Sequence, residues 1–326
     1  MRTSIALFVL AAVVLTGCHD QPIPTSAISD QEVDNTEDVT SIAGKMGGNA
    51  SDEAYRHIIK LVDEANARFA AEGRNLRLDY PWLFRVGVGV DPFTRLRTGL
   101  RWTTPSPTYV LDESDYTSDV PPADVEQALV SSFDTWNDVD QTTIHTARVD
   151  DNGDNFDILD GTIVDGDCVD IVDITSPYLI QDPAADIIVG GWLDAEYFVA
   201  CLGGENIVGV TWTAFGGDAN ADKYEDIFFV EQFYNAGFEW TTSEATYLDF
   251  AAPIDIETIA VHENGHALGL GHFGGPVRNQ PLLLKPNLKV FSPEAVMNAS
   301  YLGGEKRNLY PSDVAGLTTM YTGLHY

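Results

Sequence analysis

The chain has 326 residues, of which 44% are apolar, so it is long and apolar enough to bury a large core in one or two domains. Its 50 acidic and 18 basic residues give a formal net charge of −32, which excludes nucleic acid and anionic lipid surfaces as electrostatic partners. Composition therefore favours a globular protein over a disordered or fibrous one, with no nucleic-acid partner.

Residues 1–17 have the pattern of a signal peptide. Arg2 precedes an apolar stretch that is shorter than the roughly 20 residues needed to span a bilayer, and small residues follow it. The ending Leu-Thr-Gly before Cys18 resembles the bacterial lipoprotein box, in which that cysteine is lipidated. We therefore expect an extracytoplasmic lipoprotein, anchored to the outer membrane or cell surface only through Cys18. An ordinary cleaved signal with an incidental cysteine is the alternative.

The next two segments differ in pattern. Residues 18–50 are polar and acidic without a helical or strand period, which predicts a flexible tether. Residues 51–72 carry apolar side chains at helical spacing, and alternating apolar residues between 76 and 102 predict short strands. We interpret residues 51–100 as an N-terminal subdomain or a pro-segment, and the pattern leaves both interpretations open.

From residue 101 onward, strand and helix patterns alternate. Strands are predicted at 108–111, 186–190, 207–213 and 226–232, and helices at 123–136 and 254–268. This order predicts an α/β (α+β) fold with a twisted mixed sheet and the last helix packed behind it. The region also contains Cys168 and Cys201, and two such cysteines in an oxidising compartment more often pair than stay free.

The most informative stretch is H-E-N-G-H-A-L-G-L-G-H at residues 262–272. On a helix, His262 and His266 lie at positions i and i+4 on one face, so both imidazoles can reach one metal ion. Gly269 lets the chain leave the helix with a positive φ, so that His272 can return as a third ligand. Three neutral nitrogen donors suit zinc and leave a fourth tetrahedral position open for water, which is typical of a catalytic site.

Glu263 directly follows the first of these histidines. Its carboxylate is expected beside the open position, where it can take a proton from the zinc-bound water. Zinc would polarise the scissile carbonyl, while Glu263 activates the water and then returns the proton to the leaving amine. A purely structural zinc site has no use for this carboxylate, so the sequence predicts a zinc hydrolase.

The motif H-E-x-x-H-x-x-G-x-x-H resembles that of the metzincin peptidases, within them the matrixin-like branch. The resemblance covers roughly residues 101–323 and implies that residues 101–326 form a metzincin-like catalytic domain with a zinc-binding active-site helix and a methionine turn. It places Met297, in Ala-Val-Met-Asn, beneath the zinc ligands. It also matches Tyr301 to a tyrosine that lines the pocket for the residue after the cut.

Matrixins are often held latent by a pro-segment cysteine that ligates the zinc. This chain has no cysteine between Cys18 and Cys168, so it lacks that switch in its usual place. Our leading hypothesis is an exported zinc-dependent endopeptidase that acts on a protein or peptide substrate. The alternative is a surface lipoprotein that uses a metzincin scaffold as a binding or adhesion module with little or no proteolysis, and the intact Glu263 argues against it.

A Gly-rich loop suggests a second kind of metal site. Asp218, Asn220 and Asp222 stand at alternate positions there, so several oxygen atoms can converge on a hard cation such as Ca²⁺. In a chain this acidic, clusters of carboxylates also arise by coincidence. Calcium is therefore a hypothesis beside the zinc prediction.

Overall fold

The computed structural model describes residues 50–86, 99–151, 163–164, 167–168, 185–202, 204–243, 252–278 and 289–322. The predicted signal peptide, the lipidation site Cys18 and the tether up to residue 49 lie outside the described residues, and so do the alternating residues Val88 and Val90. Among the described helices, none has the length and apolar character needed to cross a membrane.

The three predicted helices are present among the described residues, together with two others. In the described part of the chain they are α1 (Ala50–Ala71), α2 (Pro122–Asn137), α3 (Ala195–Ala200), α4 (Ile256–Ala267) and α5 (Pro311–Tyr321). The predicted helices 51–72, 123–136 and 254–268 are confirmed as α1, α2 and α4. Helix α4 begins later than predicted because Asp255 caps it: the Asp255 carboxylate accepts the Thr258 N–H at 2.9 Å.

The predicted strands are also present, together with shorter ones. They are β1 (Arg77–Leu78), β2 (Trp82–Val86), β3 (Leu100–Arg101), β4 (Thr108–Leu111), β5 (Ala147–Arg148), β6 (Ile163–Val164), β7 (Asp167–Cys168), β8 (Ile187–Leu193), β9 (Ile207–Phe215), β10 (Glu225–Asn235), β11 (Trp240–Thr241), β12 (Ile254–Asp255), β13 (Gly275–Arg278), β14 (Lys289–Ser292) and β15 (Ser300–Tyr301). Residues 108–111, 186–190, 207–213 and 226–232 thus correspond to β4, β8, β9 and β10.

Most of these strands form one mixed sheet, in the order β15-β2-β9-β10-β8-β4-β5. Strand β9 is antiparallel to both β2 and β10, and the other pairs along this path are parallel. In addition, β1 pairs with β9 and β3 pairs with β10. The expected mixed α/β fold with a mixed sheet is therefore present. Strands β1 and β2, from the predicted N-terminal segment, belong to the same sheet as the rest.

Apolar side chains form one large cluster on each face of this sheet. Along β8, Ile187 and Val189 belong to one cluster and Ile188 to the other, as the two-residue period of a strand requires. The first cluster contains the buried faces of α2, α4 and α5, and the second contains those of α1 and α3. The sheet is thus the middle layer between two layers of helices.

Helix α4 is the central helix of the first cluster, and nearly all of it is buried. It packs against α2 through two hydrogen bonds as well as apolar contacts. The Trp136 Nε1–H donates to the Val261 carbonyl at 2.7 Å, and the Asn264 amide donates to the Ser132 hydroxyl at 2.8 Å. These partners fix both the position and the rotation of α4 in the core.

Cys201, one of the two cysteines predicted to pair, lies on the face of the sheet that α1 and α3 cover. It is buried and disulfide-bonded. Strand β7, which ends at Cys168, contacts α3, the helix that ends just before Cys201. This contact brings the two cysteine-bearing elements together, and the pairing of Cys168 with Cys201 stays a prediction.

Candidate metal centre and active site

Three histidine side chains converge at the C-terminal end of α4. The Nε2 atoms of His262 and His266 are 3.0 Å apart, and they lie 3.2 Å and 3.1 Å from Nε2 of His272. All three side chains are at most 2% exposed. Zinc–nitrogen bonds of about 2.0–2.1 Å in a tetrahedral site place two ligand nitrogens about 3.3 Å apart, close to the observed spacing. Among the His, Cys, Asp and Glu side chains of the described residues, these three histidines have ligand atoms close enough together to hold a metal ion.

The local backbone explains this convergence. His262 and His266 are one helical turn apart on α4, so their rings point the same way. The chain then reverses at Gly269, whose φ is +84°. A Cβ at this position would lie 2.6 Å from the Leu100 carbonyl oxygen, so both the φ and the space require glycine. This turn returns His272 to the other two rings.

Hydrogen bonds at the outer ring nitrogens fix the tautomers of the two helical histidines. Nδ1 of His262 lies 2.8 Å from the Val296 carbonyl oxygen, and Nδ1 of His266 lies 2.7 Å from that of Leu270. Because a carbonyl oxygen only accepts, each Nδ1 carries the proton and each Nε2 presents a lone pair. Burial lowers the pKa of both rings well below the ordinary histidine value, which keeps them neutral.

The donor set therefore fits a metal ion. Two Nε2 lone pairs that face each other at 3.0 Å with no proton between them repel, and a cation between them removes that repulsion. Neutral imidazole nitrogens, held by carbonyl acceptors on their far side, are typical ligands of Zn²⁺. His262, His266 and His272 are the residues that would hold it.

Glu263, the predicted general base, lies next to the first of these histidines and is fully buried. Its Oε2 accepts a hydrogen bond from the Thr211 hydroxyl at 2.5 Å, whereas Oε1 has no hydrogen-bond partner among the described residues. A Cβ on Gly209 would lie 2.5 Å from Oε1, so glycine on β9 leaves room for the carboxylate. Burial raises the pKa of Glu263 to about 8, against the opposing effect of the Thr211 hydrogen bond. A nearby metal cation would lower that pKa again.

Met297 is fully buried and packs directly against α4. A Cβ on Gly265 would collide with the Met297 sulfur, so the thioether lies against the helix backbone beside the histidines. The buried Asp313 carboxylate accepts the N–H groups of Val296 and Met297 at 2.9 and 3.2 Å. The Val296 carbonyl in turn accepts from His262, so Asp313 holds the turn that orients this histidine.

Two aromatic side chains of β2 cover the histidines. The Trp82 ring stacks on His266, with centroids 4.9 Å apart, and meets His272 edge-on at 5.1 Å. The Phe84 ring stacks on His262 at 3.6 Å, with the two planes 6° apart. Because residues two apart on a strand share a face, Trp82 and Phe84 both point to the metal centre.

Tyr301, predicted from the resemblance to line a substrate pocket, lies beside this aromatic cover. It is buried, and its hydroxyl donates to the Gly304 carbonyl at 3.0 Å. Its ring meets Phe84 edge-on at 6.3 Å. Tyr301 therefore lies near the metal centre, and its role in a pocket stays a prediction.

The predicted calcium residues lie in the loop between β9 and β10. The Asp218 carboxylate accepts the N–H groups of Asp222 and Lys223 at 2.9 and 3.0 Å, and the Asn220 amide donates to Asp222 at 3.0 Å. Arg101 also reaches the Asp222 carboxylate at 3.1 Å. These side chains are therefore engaged in hydrogen bonds within the loop and with Arg101, and calcium binding by them stays a prediction.

Several residues of the site carry no local signal in the sequence. Thr211 and Asp313 reach the site from elements far from the histidine motif, through a hydrogen bond to Glu263 and through the Met297 turn. Trp82 and Phe84 stand in a region of alternating apolar residues. This pattern predicts a strand, but it does not indicate which strand it pairs with. Only the tertiary structure brings these residues to the histidines.

The complete site combines a three-nitrogen metal pocket, a buried carboxylate with an unpartnered oxygen, and an aromatic cover. No protein-family model matches the chain, and a search of curated proteins finds no match. What the site does is therefore inferred from its geometry and chemistry.

Proposed function

We propose that this chain is an exported zinc-dependent endopeptidase with a catalytic domain of the metzincin type, similar to the matrixins. The observation that carries this proposal is the convergence of three buried imidazole nitrogens at 3.0–3.2 Å, with the carboxylate of Glu263 on the same helix. The sequence motif and the position of Met297 against α4 support the metzincin assignment.

His262, His266 and His272 would hold the zinc ion. Bound there, zinc supplies a Lewis acid for the scissile carbonyl and lowers the pKa of a coordinated water to near 7. Three neutral ligands leave the net charge of the ion uncompensated, which favours that Lewis acidity. The turn held by Asp313 and the carbonyl of Val296 keep the ligand ring of His262 oriented.

Glu263 carries out the proton transfers. Its unpartnered Oε1 takes a proton from the attacking water, and the same group returns a proton to the leaving amine nitrogen as the carbon–nitrogen bond breaks. Thr211 holds Oε2 and so fixes the orientation of the carboxylate. Because the Glu263 carboxylate is buried away from bulk water, its hydrogen bonds to Thr211 and to the attacking water are strengthened.

The sequence also indicates the cellular location and the substrate class of the proposed enzyme. The signal-peptide pattern at residues 1–17 and the lipoprotein-box cysteine Cys18 support a location outside the cytoplasm, with the chain anchored to the outer membrane or cell surface. The strongly acidic composition argues against nucleic acid as a partner. The proposed peptidase chemistry implies a protein or peptide substrate.

A cleavage assay tests the proposal directly. We expect the zinc-loaded chain to hydrolyse an unstructured protein such as casein, slowly in the wild type and faster when Trp82 and Phe84, which stack on the histidines, are replaced by alanine. This activity should be lost with a chelator and regained when zinc is added back. Cleavage that a chelator does not affect would contradict a zinc mechanism. Stoichiometric zinc without cleavage, even after replacement of Trp82 and Phe84, would favour a binding or adhesion module instead.

A further inference from the structure

We propose that strand β2 is a built-in cover that closes the metal centre, so that the full chain is latent until β2 is displaced. This inference concerns the regulation of the site described above and rests on the proposed peptidase function.

Strand β2 lies between β9 and β15, beside the site. It is antiparallel to β9, with Trp82 opposite Thr211 and Phe84 opposite Gly209, and it is parallel to β15 on its other side. Thr211 and Gly209 are the β9 residues that contact the carboxylate of Glu263. An extended peptide that approaches Glu263 along the edge of β9 must therefore use the backbone positions that β2 already occupies.

Two aromatic side chains of β2 lie directly over the metal centre. Trp82 and Phe84 stack on the rings of His266 and His262, and Phe84 itself is only 3% exposed. Tryptophan, leucine, phenylalanine and valine offer no strong metal ligand, and arginine stays protonated, so none of the β2 residue types replaces a metal-bound water as a cysteine thiolate does. The block is therefore steric and does not depend on a thiol.

The cover is held in place by the rest of the N-terminal segment. The Asn66 side chain of α1 brackets the backbone of Leu78, donating to its carbonyl at 3.0 Å and accepting its N–H at 2.8 Å. Helix α1 packs on the second face of the sheet through Val62 and Phe69. This attachment gives β2 a high effective concentration at the edge of β9, so a free peptide substrate must compete with it for the same backbone positions.

Two variants of the full chain test the cover. In Trp82→Ala/Phe84→Ala both rings over the histidines are removed, whereas Ile188→Ala truncates a side chain of β8 that is buried in the cluster on the opposite face of the sheet. The control therefore weakens the core without changing β2 or the rings over the site. Three quantities are compared with the wild type: histidine modification by diethyl pyrocarbonate in the metal-free chain, zinc extraction by a chelator, and casein cleavage.

We expect all three rates to rise at least about tenfold in the double variant, because two stacked aromatic pairs no longer favour the closed state, and to change little in Ile188→Ala. Wild-type rates in the double variant, or an equal rise in Ile188→Ala, would overturn the cover. Faster modification of His262, His266 and His272 without any cleavage would support the cover and contradict the peptidase function. If the double variant does not fold, Trp82→Leu and Phe84→Leu singly test the same rates at smaller amplitude.

Discussion

Replacement of Glu263 by glutamine is expected to lower kcat/KM for casein cleavage by a factor of about 10²–10⁴ while zinc stays bound. Glutamine keeps the shape of the side chain and can still accept the Thr211 hydroxyl, but it cannot take a proton from water. None of the three metal-ligating nitrogens changes, so the affinity for zinc is preserved.

The measurement is made in the wild-type chain and in the Trp82→Ala/Phe84→Ala background, because the covering strand otherwise limits cleavage. Glu257→Gln is a matched control: it removes a carboxylate from the same helix, one that faces Arg307 at 3.4 Å. We expect little change in kcat/KM from this control. Full activity in Glu263→Gln with zinc bound would exclude Glu263 as the general base.

The second large effect is on stability. Arg307→Ala is expected to lower the free energy of unfolding by about 3 kcal/mol, because it leaves a buried carboxylate without its cation. Asp255 is fully buried, and the Arg307 guanidinium donates to both of its oxygens, at 2.6 Å and 3.0 Å. The same carboxylate caps α4 through Thr258, so removal of the guanidinium that holds it also weakens the start of the helix that carries the histidines.

Arg148 provides the matched control for this prediction. It forms a comparable fork, to Glu126 at 2.5 Å and to Glu113 at 3.3 Å, but both partners are well exposed to solvent. Arg148→Ala should therefore lower the free energy of unfolding by less than about 1 kcal/mol. Chemical denaturation of both variants measures the difference. Equal and small losses would mean that the Arg307–Asp255 pair does not stabilise α4.

Much of the fold could be predicted because its signals are local. The apolar period of α2 and the continuous apolar run of β8 each lie within one short window of sequence. The metal pocket can also be predicted from the sequence, since His262 and His266 are one turn apart and Gly269 permits the reversal that returns His272. Short-range spacing was sufficient in each of these cases.

The remainder depends on contacts between distant segments. Alternation around Trp82 predicts a strand, but it does not say that this strand joins β9 or that it covers the histidines. The change in sequence pattern near residue 100 predicts a separate segment at 51–100, and this division stays a prediction. In the structure, strands β1 and β2 of this segment pair with β9 in the common sheet, which the local pattern does not indicate. Thr211 and Asp313 reach the site by the same kind of long-range pairing.

The zinc content of the purified full chain is the most direct test of the proposed function. Elemental analysis or native mass spectrometry should find one zinc ion per chain, and His266→Ala should lose it because a three-nitrogen site cannot spare a ligand. His145→Ala, which removes an exposed histidine outside the site, should retain the ion. A wild-type chain that binds no zinc, or a His266→Ala chain that binds it as tightly as the wild type, would contradict the assignment of these histidines as the metal centre.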